Sequence, residues 1–347
     1  MIKHTVARYK SRSRFYVNGV ILIFALWIMF LLSLFALYLG YGARQKAIIV
    51  KRLGQRDSTR LIAEAGVKKA IFEINRDNDT GVDSFSDYWA HNDADFKDIK
   101  VGKGRFNVFY NHSEGGKINK IFGIVDEARK VNINKAGITT LQRLFEVVLD
   151  MNNYDAKALA ASIVDFRDAD STLSIPQGSA EDSYYKHLSE PYDCKDANFE
   201  SLDEVLLVRG MNKNIFDKIK GFITVYGDSK MVNINTASGE VLYAVGIGKG
   251  LVDKIISYRE GEDKEIATLD DNIFNSSGSV VAQLSRYYSL SADEVANLSN
   301  VVAAGFIGVS SSYFSISSYA KLDYSAVIEN INCIVDRGGN ILFWRER

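Results

Sequence analysis

The residues with the most chemical potential lie between positions 165 and 196, in "DFRDADSTLSIPQGSAEDSYYKHLSEPYDCKD". Asp165, Asp168 and Asp170 come first; Glu181 and Asp182 follow beyond a glycine-containing turn. Hard divalent cations take six to eight oxygen donors, mostly carboxylates and carbonyls, and clustered aspartates on a loop can supply them. These five are the candidate ligands of a metal, and Ca2+ is the candidate cofactor. The D-x-[DN]-x-[DN]-G register of an EF-hand is absent, and a solvated acidic surface is the alternative reading. Paired carboxylates could also serve as acid and base, but no second motif supports that chemistry. His4, His91, His112 and His187 are scattered. No enzymatic activity is expected.

A second stretch, "VNINTASGEVLYAVGIGKGLVDKIISYRE" (232–260), reads as a helix-hairpin-helix unit with Gly246 and Gly248 at the hairpin turn. Such hairpins can hold a phosphate on free amides. Lys249, Lys254 and Arg259 are here balanced by Asp253 and Glu260, and the surrounding segment is rich in Asp and Glu. That charge repels a polyanion, so nucleic acid is not the expected partner, and the hairpin is read as a packing unit of a protein-interaction domain. "VNINKAGITTLQRLF" (131–145) echoes the same unit 101 residues earlier, and residues 201–222, with Gly210, read as a further half. Asn134 and Asn235 are predicted helix N-caps.

Only two cysteines are present. Cys333 alternates with Val327, Ile331 and Val335 and fits a buried thiol. Cys194 lies in a polar stretch. In an oxidising compartment the two could instead form a disulfide.

These groups must be positioned by 347 residues with 47% hydrophobic content and a net charge of −1, enough for more than one core. Residues 20–40 carry no charge and, at about 1.5 Å per residue, extend roughly 30 Å, the thickness of a bilayer core. A basic leader precedes them, and Arg44, Lys46, Lys51 and Arg52 follow, so charge alone does not orient the segment. Ile49, Leu53, Ala63, Val67, Ala70, Ile71 and Ile74 continue a helical spacing, predicting one helix over 20–76. Strand patterns occupy 104–113 and 117–134, and return in three runs from 312 to 347, with a "DRGGN" turn joining the last two. The intervening pattern is helical. The expected fold is α+β: a pilin-like long N-terminal transmembrane helix packed on an antiparallel sheet, with a large inserted all-helical domain containing helix-hairpin-helix-like units. Its boundaries are a leader over 1–19, the helix over 20–76, first strands over 77–133, the helical insert over 134–305 and closing strands over 306–347.

Gly19 directly before the apolar run, Phe24 at the fifth position after it, and in order "VDEARKVNINKAG", "IVDFRDADS", "SAEDSYYKHLSEPYDCKD", "SLDEVLLVRGMNKNIFDKIKGFITVYG" and "VNINTASGEVLYAV" resemble the general secretion pathway protein K family, the K-type minor pseudopilins of type II secretion. The resemblance implies cleavage by a prepilin peptidase between Gly19 and Val20, and methylation. It implies a bacterial inner-membrane anchor with a single pass and the bulk of the chain in the periplasm. It also implies a place at the tip of the pseudopilus, with I- and J-type partners, where the chain primes assembly for protein export. Most pilins carry Glu where this chain has Phe24; a leading subunit has no neighbour ahead whose ammonium needs neutralising, and an unpaired carboxylate in a membrane is costly. The alternative expectation is a membrane-anchored, ComEA-like DNA receptor.

Overall fold

The computed structural model describes residues 15–347, apart from 115 and 116. The chain divides into two compact units, one ending at Ser58 and the other running from Thr59 to Arg347.

Helix α1 covers Phe15–Arg76 without a break. No proline interrupts it, and its first half is apolar on every side. From Val20 to Leu39 its large hydrophobic side chains are exposed, and the helix is long and apolar enough to cross a membrane. Beyond Ser58 the character changes. Ala63, Val67, Ala70 and Ile74 recur at steps of four, three and four, and all are buried. Ile49 and Leu53, which share that spacing, stay exposed.

A short helix α2 (Asp93–Phe96) leads into β1 (Ile99–Val101) and β2 (Gly104–Val108). β3 (Tyr110–Glu114) and β4 (Lys117–Ile121) form a separate hairpin, and β5 (Val125–Asp126) returns to the main sheet. The predicted continuous strand over 117–134 is therefore broken into short pieces. Gly123 explains one break. Its N–H bonds the Val108 carbonyl, and any Cβ there would collide with the Ala90 carbonyl.

The helical insert follows. It contains β6 (Val131–Asn132), α3 (Ile138–Leu149), α4 (Asn153–Arg167), α5 (Asp182–Tyr185), α6 (Lys213–Ile219), β7 (Ile223–Thr224), β8 (Val232–Asn233), α7 (Gly239–Ala244), α8 (Lys249–Arg259), α9 (Val280–Ser285), α10 (Ala292–Ala303) and β9 (Ile307–Gly308). It is not purely helical: β6 pairs with β7 and β8 with β9, both in parallel. The chain then completes the sheet with β10 (Tyr313–Leu322), β11 (Ile328–Asp336) and β12 (Ile341–Glu346).

The main sheet runs β1-β2-β10-β11-β12, with β5 on β10, and all its pairings are antiparallel. Asp126, where the insert departs, pairs with Phe314, where it returns. Adjacent ends let a large insertion enter without disturbing the sheet. β10 buries alternate residues, as a half-covered strand must. Phe314, Ile316, Ala320 and Leu322 pack with Ala63, Val67, Ala70 and Ile74 in one core. Ser318 lies on the same face, and its hydroxyl donates to the Ala63 carbonyl at 2.8 Å. Gly66 permits this approach, since a Cβ there would run into Ser318 Oγ and lie 2.9 Å from Phe106 Cδ2.

The insert has its own core, built from Leu141, Leu144, Phe145, Ile163, Phe166, Tyr185, Leu242, Ile255 and Phe274 among others. The two cores are joined by a buried carboxylate. Asp126 accepts from Asn233 Nδ2 at 2.8 Å, Thr236 Oγ1 at 2.6 Å and the Arg129 N–H at 2.6 Å. Burial raises its pKa above the usual carboxylate range, and these donors oppose the rise.

Candidate metal centre

The two "VNIN" segments fold alike. Asn132 and Asn233 each accept the N–H two residues on, at 2.9 and 3.0 Å, an Asx turn that closes a short parallel strand. Asn134 and Asn235 do not cap helices; Gly137 and Ser238 occupy those positions. Their amides instead clamp the backbone of a distant aromatic. Asn134 accepts from the Phe199 N–H and donates to the Phe199 and Val225 carbonyls. Asn235 does the same for Phe274, accepting its N–H at 2.8 Å and donating to its carbonyl at 3.1 Å. In both units an arginine closing the second helix donates back to the first loop: Arg167 to the Ala136 carbonyl, Arg259 to those of Ala237 and Ile234. A buried amide satisfying both backbone groups of one residue fixes a loop that has no ladder of its own.

What differs between the units is the loop each clamp holds. In the second, Asp270 accepts the N–H groups of Glu262 and Asp263 and the Thr268 hydroxyl, and Asp271 accepts the Ala267 N–H. That loop satisfies its own carboxylates. In the first, the loop after α4 is drawn back onto the helix end, where the Lys195 and Asp196 N–H groups bond the Phe166 carbonyl. Phe166 stacks on Phe199 with ring centroids 5.8 Å apart. This closure brings carboxylate oxygens of Asp168, Asp170 and Glu181 within 4.8 Å of one another. Glu181 Oε1 and Asp168 Oδ1 are buried there without a hydrogen-bond partner. Burial raises the pKa of both groups, with Asp170 and Asp165 adding to the rise at Asp168 and Asp165 adding at Glu181. Arg167 beside Asp168 offsets part of this, but three like charges at this spacing, two of them with orphaned buried oxygens, leave the cluster net negative. The all-oxygen donor set fits a hard divalent cation.

Of the five acids singled out in the sequence, Asp168, Asp170 and Glu181 converge. Asp165 is fully buried and its carboxylate accepts the Ser174 N–H. Asp182 is held by Lys186 at 2.7 Å and by the Cys194 N–H at 2.8 Å, which keep its carboxyl below the usual range. Neither joins the cluster.

A second acidic group was not read from the sequence. Asp77, Asp83 and Asp87 lie in a polar stretch that reads only as the end of α1, yet their carboxylates also approach within 4.8 Å of one another. This group already has its cation. Arg337 reaches Asp77 at 3.2 Å and Asp83 at 2.5 Å, while Asp83 also accepts the Ser311 N–H. Burial pushes the Asp83 carboxyl up to about 6 against the pull of Arg337, and that of Asp87 to about 7. The group is an ion-pair clamp between the end of α1 and the β11–β12 turn.

The hairpin turn is occupied from within. Gly246 adopts a φ of +105°, which only glycine takes without strain. The Gly248 N–H, the amide that would meet a phosphate, donates to Asn297 Oδ1 at 3.0 Å, and Asn297 Nδ2 returns a bond to the Gly246 carbonyl at 2.9 Å. The hairpin is thus fastened to α10.

Cys194 and Cys333 are both free and buried, in different cores, so the disulfide considered from the sequence is not formed. Cys333 lies on the sheet face that packs with α1, and burial pushes its thiol up to about 12. Cys194 donates to Glu181 Oε2 at 3.6 Å. Gly19, Val20 and Phe24 lie exposed on the apolar part of α1, and the leader residues before Phe15 lie outside the described residues.

Residues 104–228 match the family model described as Type II secretion system (T2SS), protein K. The Type II secretion system protein K of Aeromonas hydrophila is 33% identical over 93 residues, 26% of this chain and 28% of that protein. The chain thus spans less than a third of that relative in the matched region. In structure, 87% of the chain superposes on 99% of a chain from the crystal structure of the GspK-GspI-GspJ complex from the enterotoxigenic Escherichia coli Type 2 Secretion System, with a TM-score of 0.62 and 16% identity. That likeness shows the pilin-like fold with its helical insert.

Proposed function

We propose that this chain, whose residues 104–228 match the type II secretion system protein K family, is a member of that family and a minor pseudopilin that leads the pseudopilus. The protein K match carries the reading, and three physical features support it. The apolar half of α1 fits a single-pass anchor in the inner membrane. Phe24 puts no carboxylate where a subunit behind another would need one. The insert is a second globular body on one subunit, bulk that a filament end accommodates more readily than each step of a slender shaft. In this role the chain is cut between Gly19 and Val20 by a prepilin peptidase and methylated, and its bulk faces the periplasm. It meets I- and J-type pseudopilins in a tip complex that primes assembly for protein export. Asp168, Asp170 and Glu181 would hold a calcium ion, which would neutralise the charge left on these three carboxylates.

DNA binding has no support in the hairpin. Its key amide is already bonded to Asn297, and a phosphate would have to displace that contact.

The test is co-expression of the full-length chain with a prepilin peptidase and with I- and J-type pseudopilins, followed by N-terminal sequencing and co-purification. A new terminus at Val20 and recovery in a complex with both partners are expected. An intact Met1 with a peptidase active on a control, or no recovery with either partner, would overturn the proposal.

A further inference from the structure

Glu181 and Asp182 are adjacent in sequence yet have opposite fates. Glu181 is 3% exposed, its Oε1 has no hydrogen-bond partner, and one of its carboxylate oxygens converges with those of Asp168 and Asp170. Asp182 lies in an exposed ion pair with Lys186. One residue touches both. The backbone N–H of Cys194 donates to Asp182 Oδ1 at 2.8 Å, and its thiol lies 3.6 Å from Glu181 Oε2 in donor geometry. An ionised carboxylate can only accept, so the thiol must be the donor in that contact. The sulfur is not among the three converging ligand atoms.

We infer that Cys194 is a positioning residue of the cation site: its thiol holds one oxygen of Glu181, so that the other faces Asp168 and Asp170. Its backbone meanwhile keeps Asp182 out of the cluster. The inference rests on the cation reading above and adds to it a residue that fixes the ligand set. Groups that hold a ligand's second oxygen set its orientation before the metal arrives, and their removal commonly costs tenfold or more in metal affinity. Cys194 is itself fixed, because its neighbour Lys195 ties the loop to Phe166 by its N–H and to Glu204 by its ammonium at 2.5 Å. The thiol therefore cannot drift from Glu181 without opening the loop.

The experiment is calorimetric titration of Ca2+ into the full-length chain in detergent, for wild type, Cys194→Ala and Cys194→Ser. The thermal midpoint of each in EDTA is recorded alongside. Cys194→Ala, which has no donor, is expected to bind about tenfold more weakly. Cys194→Ser restores an O–H donor and is expected to return to within about threefold of wild type, with the EDTA midpoints of all three alike. If wild type takes up no Ca2+, the cation reading itself fails and this inference goes with it. If wild type binds but Cys194→Ala binds equally well, only the role of Cys194 is lost. Serine binding as weakly as alanine would make packing, not donation, the cause, and would overturn it. So would a sulfur-to-metal charge-transfer band on adding Cd2+, because it would make the thiol a ligand.

Discussion

Substituting Asp168 by Asn tests the cation reading through a change of sign. Two unit charges 4.8 Å apart, the outer limit of the cluster, repel by about 1 kcal/mol in water and by about 3.5 kcal/mol at an effective dielectric constant of 20. Asp168 faces two such partners. Asp170 is exposed, so that pair sits near the lower figure; Glu181 is buried, so that pair sits higher. Asp168 is itself half-buried, and solvent screening reduces the sum to about 2 kcal/mol. Asp168 Oδ1 has no hydrogen bond to lose, so the amide gives up only the attraction of Arg167, which the screened figure of about 2 kcal/mol is taken to include. In EDTA at pH 8, Asp168→Asn should therefore melt about 4 °C above wild type, taking roughly 2 °C per kcal/mol for a chain of this size. Calcium reverses the order. At a hundredfold excess over its dissociation constant, a ligand specific for the folded state adds about 2.7 kcal/mol, which wild type gains and the variant largely forgoes. Differential scanning fluorimetry of both chains, with EDTA and with Ca2+, reads all four midpoints. A variant less stable than wild type in EDTA, or one that gains as much from calcium as wild type does, would refute the reasoning.

Other expectations follow from the same geometry. Gly66→Ala drives a methyl into Ser318 and Phe106 and should cost about 1–3 kcal/mol in urea denaturation; no change would mean that α1 and the sheet can separate freely there. Asn235→Ala leaves both backbone groups of Phe274 unpaired in a buried site and should cost about 2–4 kcal/mol, with early proteolytic cleavage between 260 and 275, which intact-mass mapping would detect or deny. Asp87 has a folded pKa of about 7, above that of an unfolded carboxyl, so its protonation favours the folded state. That contribution is complete below about pH 4 and is lost as pH rises through about 7. Asp87→Asn should accordingly flatten the fall in melting midpoint between pH 5 and 8, and an unchanged slope would assign the titration elsewhere. Wild-type chain should show no salt-dependent binding to duplex DNA by fluorescence anisotropy, since Asn297 occupies the hairpin amide.

Much of this molecule was legible along the chain. The uncharged run from 20 to 40 specifies an apolar helix, and the spacing of Ala63, Val67, Ala70 and Ile74 specifies the face that is buried. Alternation along β10 and β11 reveals half-covered strands, and the paired "VNIN" segments announce a repeated unit. These signals are local, because helix and strand periods repeat within a few residues and each residue's type declares its side.

Tertiary structure decided the rest. Five acids looked equivalent as ligands, and only the closure of the loop onto Phe166 separates Asp168, Asp170 and Glu181 from Asp165 and Asp182. Asn134 and Asn235 stood where helix caps belong, but their partners are 65 and 39 residues away. Two cysteines compatible with a bridge were sent to different cores. Asp77, Asp83 and Asp87 looked like a solvated helix end until Arg337, some 250 residues later, reached Asp77 and Asp83. In each case the fate of a polar group depends on which distant donor or acceptor the fold delivers to it, and no local period encodes that pairing.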